Sequence, residues 1–122
     1  MSLSQEKAFS FRDDHKPSYT STLSVDQFLA LESTSELILL DVRLAEDFQK
    51  DPKLIPGAQY KDPESLPHWI NQLDQSKEIV VYCVAGRWVS QKVAFLLSEA
   101  GLKVRSLEGG IEAWKKESNK LN

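Results

Sequence analysis

Residues 79–97 read IVVYCVAGRWVSQKVAFLL, a strand running into a helix. Ile79 to Cys83 concentrates β-branched and aromatic residues, as a buried strand does. From Val89 the apolar positions fall at 89, 93, 96, 97 and 100, which is a helical period, and Gly101 stands where a C′ glycine ends a helix. A strand is therefore expected to end at Cys83 and to pass through a short loop containing Gly86 into a helix that runs to Ala100. That order is the repeating unit of a parallel sheet covered by crossover helices.

The flanking sequence repeats the pattern. Leu37 to Val42 reads LILLDV, a short apolar run of the kind buried on both faces of a parallel sheet. Val104 to Leu107 is a further short strand. Ser24 with Gln27 three places on forms a capping box, and Val25, Phe28, Leu29 and Leu31 put an apolar stripe on the helix that follows. Short helices are expected around Ala45 to Gln49 and at Ser65 to Leu73, where Pro67 is tolerable in the first turn. Pro52, Pro56 and Gly57 force a loop between them. A last helix, Ile111 to Glu117, follows Gly109 and Gly110. Alternating strands and helices imply an α/β sandwich with helices on both faces of the sheet.

With 122 residues the chain has room for one domain. Residues 1–20 are polar, aperiodic and contain Pro17, so they are expected to form an arm, and residues 21–122 the domain. Fifteen basic against 18 acidic residues leave a net charge of −3 with no long run of one sign. That balance argues against nucleic acid and anionic membrane as partners. The longest apolar stretches, Leu37 to Leu40 and Ile79 to Ala85, are too short to cross a bilayer. No secretory signal is visible, and the lone cysteine suits a reducing compartment, so the cytoplasm is the expected location.

Chemistry concentrates at Cys83. An inert cysteine filler belongs inside a strand, whereas this one stands at a strand end, before a glycine-bearing loop and a helix N-terminus. In α/β folds that is where ligands bind. A loop of this kind gathers unpaired N–H groups into an anion cradle. The helix dipole alone is too weak to ionise a thiol, so loop amides are expected to do most of the work, with Arg87 adding positive charge. A redox pair is impossible with one cysteine, and Cys83 with the distant His15 and His68 makes a poor metal set, so neither a metal nor a cofactor is expected. The cysteine phosphatase pattern of Cys, five residues and Arg puts its arginine at position 89, which here is Val.

Four pieces in order carry a resemblance: LLDVR at 39–43, IPGA at 55–58, VVYCVAGRWVS at 80–90 and LEGGIEAW at 107–114. Together they resemble the rhodanese family of single-domain sulfurtransferases. The resemblance implies a three-layer α/β/α sandwich with a mostly parallel five-stranded sheet. It also implies a six-residue active loop, Cys83 to Trp88, whose cysteine takes a sulfane sulfur from a donor, carries it as a persulfide and yields it to a thiophilic acceptor. By the same analogy Val84, Ala85, Gly86, Arg87, Trp88 and Val89 hold the substrate, while Asp41 and Arg43 brace the loop. Arg87 is the only loop cation, so the donor can be thiosulfate or the persulfide of a small thiol or a partner protein, with cyanide, a small thiol or a protein thiol as acceptor. The rival expectation is a rhodanese-like interaction module that turns nothing over.

Overall fold

The computed structural model describes residues 9–12, 19–34 and 36–121. The rest of the expected arm, including His15 and Pro17, lies outside the described residues. In chain order the elements are β1 (Thr22–Leu23), α1 (Val25–Thr34), β2 (Leu37–Asp41), α2 (Ala45–Lys50), β3 (Gln59–Tyr60), α3 (Leu66–Trp69), β4 (Glu78–Tyr82), α4 (Trp88–Glu99), β5 (Val104–Leu107) and α5 (Gly110–Leu121). The five strands form one parallel sheet in the order β1-β5-β4-β2-β3. β2 and β4, the most apolar segments, sit at its centre and pair residue for residue from Leu37 with Glu78 to Asp41 with Tyr82.

Side chains alternate across the sheet with the period of two that a strand imposes. Val80 and Tyr82 of β4 join Leu39, Leu107, Phe28 and Ile111 in the layer beneath α1 and α5. Ile79 and Val81 point the other way, into a core with Leu40, Val42, Val93, Ala94 and Leu97 under α4, and the same parity sends Cys83 to that side. The sheet thus separates two apolar cores, giving the three layers that the sequence implied.

α1 begins as expected: the Gln27 N–H donates to Ser24 Oγ at 3.1 Å and Gln27 Oε1 accepts from the Ser24 N–H at 2.8 Å. Such a cap is worth about 1 kcal/mol. β4 ends one residue sooner than expected, and α4 starts one residue sooner, at Trp88. Cys83 leaves the ladder because its carbonyl accepts from the Ile111 N–H instead of a strand neighbour.

The helix expected at Ser65 to Leu73 is broken into a 3₁₀ turn at Pro63–Ser65, the single α-turn α3 and a second 3₁₀ turn at Ile70–Gln72. Two prolines explain this. Pro63 and Pro67 both lack the N–H that a continuous helix needs, and the Asp62 carboxylate caps the first turn through the Glu64 N–H. Conversely, α5 runs to Leu121 rather than stopping at Glu117. The strands β1 and β3 are only two residues long and carry no periodic signal.

Candidate active site

Cys83 lies at the carboxyl end of the central strand, 4% exposed. It lines a cavity of about 170 Å³ together with Arg43, Leu44 and Asp47 from the segment after β2 and Val84, Ala85, Arg87, Trp88 and Val89 from the loop after β4 and the start of α4. A wider groove of about 280 Å³ between the starts of α1 and α5 holds Ser24, Asp26, Glu108 and Lys116 but no nucleophile. Among the described residues no group of three or more His, Cys, Asp or Glu could hold a metal.

The loop's geometry is set by where its carbonyls go. The Cys83 carbonyl accepts from the Ile111 N–H at 2.9 Å and the Val84 carbonyl from the Glu112 N–H at 3.1 Å. Further on, the Gly86 carbonyl accepts from Gln91 Nε2 and the Arg87 carbonyl from the Gln91 N–H, both at 3.2 Å. In a trans peptide the C=O and N–H of one unit point in opposite directions. Tying the Cys83 and Val84 carbonyls to α5 therefore turns the N–H groups of Val84 and Ala85 away from it. Among the described residues, the N–H groups of Val84, Ala85, Gly86 and Arg87 donate to no acceptor. A run of unpaired amides beside a helix N-terminus can serve as an anion cradle.

Two glycines permit this docking. Gly110, at φ +59°, lies so close beneath the loop that a Cβ there would come within 2.5 Å of the Cys83 carbonyl oxygen and 2.6 Å of that of Val84. Gly86, at φ +71°, faces Leu107 O and Gly109 N, and a Cβ would meet them at 2.8 and 2.6 Å. Gly86 is therefore pressed onto the α5 entrance and does not line the cavity, unlike the other loop positions named from the sequence. The Gly109–Gly110 pair reads in sequence as a turn, and its second role, close approach to the loop, becomes visible only in three dimensions.

Against Cys83 lies a polar pair, Ser90 and Ser106, that only the fold brings together. Ser90, in the first turn of α4 and fully buried, places Oγ 3.2 Å from Cys83 Sγ, and its own oxygen accepts from Ser106 Oγ at 3.1 Å. When the sulfur is a thiolate, the Ser90 hydroxyl can donate to it and the Ser106 hydroxyl can support Ser90.

Asp41 and Arg43 stand beside the cavity as a buried ion pair, 0% and 2% exposed, with Arg43 Nη2 2.6 Å from Asp41 Oδ2. Burial opposes the guanidinium's charge, but the hydrogen bond and charge of Asp41 outweigh it and raise its pKa above the ordinary value. Nη1 also donates to the carbonyl of Asp51 at 2.8 Å and Nη2 to that of Lys53 at 2.9 Å. Tyr60 Oη donates to the Arg43 carbonyl at 2.8 Å, and burial pushes the Tyr60 phenol up to about 12. Arg43 is thus consumed in bracing the loop at 51–53, which leaves the exposed Arg87 as the cation at the mouth. Asp47 opposite carries a carboxylate that nothing near Cys83 in sequence announces.

The fold is thus a three-layer parallel α/β domain with its one cysteine on a loop at the end of a central strand. This chain belongs to the rhodanese-like domain family, whose model matches residues 24–117. The thiosulfate sulfurtransferase GlpE of Shewanella oneidensis is 36% identical over 93 residues, covering 75% of this chain and 89% of its own. Among solved structures, a protein from Lactobacillus plantarum superposes with a TM-score of 0.72 at 28% identity, covering 81% of this chain and 85% of that one. A rhodanese-like domain protein from Staphylococcus aureus shares the fold with a TM-score of 0.68 at 23% identity, over 78% of this chain and 91% of that one. No helix among the described residues is long and apolar enough to cross a membrane.

Proposed function

We propose that this protein is a sulfurtransferase that carries sulfur on Cys83. The Cys83 thiolate attacks the sulfane sulfur of a donor, forming an S–S bond as the donor's own bond to that sulfur breaks. Thiosulfate leaves as sulfite, and a persulfide donor leaves as its thiolate. An acceptor then attacks the outer sulfur, regenerating the Cys83 thiolate and leaving as thiocyanate or a new persulfide. Dividing transfer into two displacements through a covalent intermediate gives ping-pong kinetics.

The observation that carries this reading is the run of acceptor-free amides from Val84 to Arg87 directly after a cysteine that lines a cavity. Hydrogen bonds aimed where negative charge resides favour the thiolate and the persulfide anion, and they act most strongly in a site shielded from water. Arg87 adds a charge for an anionic donor, Ser90 a hydroxyl for the sulfur, and Asp41 with Arg43 the rigid wall. The mixture of Leu44, Val84, Trp88 and Val89 with the exposed Arg87 fits a persulfide on a small or protein-borne thiol as well as it fits thiosulfate. The reduced thiol that this chemistry requires is compatible with the cytoplasm.

Incubation with thiosulfate and cyanide should yield thiocyanate with parallel-line kinetics in the two substrates, and Cys83→Ser should abolish it. A Cys83→Ser protein as active as the parent would end this reading.

A further inference from the structure

Phe11 and Arg12 lie outside the stretch that matches the family and yet are anchored to it. Phe11 is 0% exposed, its ring stacked on Trp88 at 5.4 Å and 26°. Its carbonyl accepts a hydrogen bond from Lys92 Nζ, and the same ammonium lies 4.9 Å from the centre of its ring, so that Lys92 is only 4% exposed. Arg12 places Nη2 2.9 Å from Glu46 of α2 and 2.9 Å from Glu64 of the turn before α3. These contacts have one geometric consequence. Trp88 lines the Cys83 cavity from the start of α4, and Glu46 lies in sequence between Leu44 and Asp47, which line the same cavity from the segment after β2.

We propose that Phe11 and Arg12 form a clasp that ties the two walls together and sets the width of the mouth over Cys83, selecting small sulfur compounds over bulky ones. The proposal rests on Cys83 being the sulfur carrier for its meaning in catalysis, but the width of the mouth is a property of the fold. The two halves differ in strength. Phe11 is held by a buried stack and a buried lysine, whereas Arg12 is 43% exposed and its ion pairs are half in water, where salt screens them. The Arg12 half is therefore the one that loosens first. With the clasp shut the cavity admits a small thiol, a small persulfide or thiosulfate; with it open, the segment carrying Glu46 can move away from Trp88 and a larger thiol can reach the sulfur.

Cys83 is the sole cysteine of the chain, so its alkylation reads the mouth without any turnover. The rates of iodoacetamide and of a fluorescein maleimide should be compared in the wild type, Arg12→Gln and Phe11→Leu, with folding checked by circular dichroism. In the variants the bulky reagent should gain about fivefold while the small one changes less than about twofold, and acetylation of Lys92, read by peptide mass, should rise in Phe11→Leu. A folded Arg12→Gln protein with the wild-type ratio of the two rates overturns the proposal, as does parallel acceleration of both reagents. Failure to make thiocyanate counts against sulfur transfer and leaves the alkylation ratio to judge the clasp.

Discussion

The Ile111 N–H donates to the carbonyl of Cys83 at 2.9 Å, so the first turn of α5 grips the cysteine's own peptide. A helix N-terminus has unpaired N–H groups to spend. Here two are spent on loop carbonyls, and the loop's own N–H groups are thereby turned outward. The contact requires Gly110, because no side chain fits between α5 and the loop.

Gly110→Ala should therefore disturb both stability and site. Its Cβ would fall within 2.5 Å of a backbone oxygen at a positive φ, so the helix must retreat. The expected cost is about 2–4 kcal/mol, read as a lower denaturation midpoint, together with loss of sulfur transfer. Gly101→Ala, also at positive φ but with nothing within 4 Å of its Cβ, should be milder and leave sulfur transfer intact.

Ser90→Ala separates chemistry from packing. It removes the hydroxyl 3.2 Å from Cys83 Sγ and leaves the buried Ser106 hydroxyl unpaired. Persulfide formation should slow by about tenfold and stability fall by about 1–2 kcal/mol. In the Ser90→Ala, Ser106→Ala double variant the stability should largely return while the rate stays low. A rate that recovers with the stability would show the hydroxyl pair to be packing alone.

Arg43→Met should cost about 3–5 kcal/mol, because Asp41 would remain charged and buried without its partner. The Asp41→Leu, Arg43→Met double variant removes both charges and should regain most of that loss in a denaturant titration. Its sulfur transfer should stay impaired if the pair's task is to hold the carbonyls of Asp51 and Lys53 beside the cavity.

Acid should weaken the outer contacts first. The Asp51 carboxyl is held below its ordinary value of 3.8 by its hydrogen bond from Lys115, and Glu46 is lowered from 4.5 by its hydrogen bond from Arg12. A carboxyl whose folded pKa is depressed stabilises the fold above the unfolded value and loses that contribution as pH falls through the folded one. Stability should accordingly decline as pH drops below about 4.5, and Asp51→Asn should flatten the decline in a urea titration followed against pH. An Asp51→Asn protein with the same acid slope as the wild type would remove the Lys115 pair from the account.

Much of this arrangement was legible in the sequence. The apolar runs at 37–42 and 79–83 became the two central strands, and the parity that points Cys83 toward α4 follows from counting along β4. Ser24 and Gln27 announced their cap by spacing alone. What escaped shares one property: it depends on contacts between segments distant along the chain. Asp47 and Leu44 reach the cavity because the loop after β2 sits beside the loop after β4. Phe11 lies in a polar stretch with no period, and only burial against Trp88 distinguishes it from a solvated residue. The expected helix at Ser65 to Leu73 is split because Pro67, tolerable in a first turn, is joined by Pro63 just before it, and neither has an N–H to give.

The claim on which the rest depends is that Cys83 accepts and holds a sulfur atom. Intact mass after brief exposure of the reduced protein to thiosulfate reads this directly. The account predicts a gain of about 32 Da, located on the peptide containing Cys83 and removed by cyanide. An unchanged mass, whether the donor is thiosulfate or a small-thiol persulfide, would contradict it.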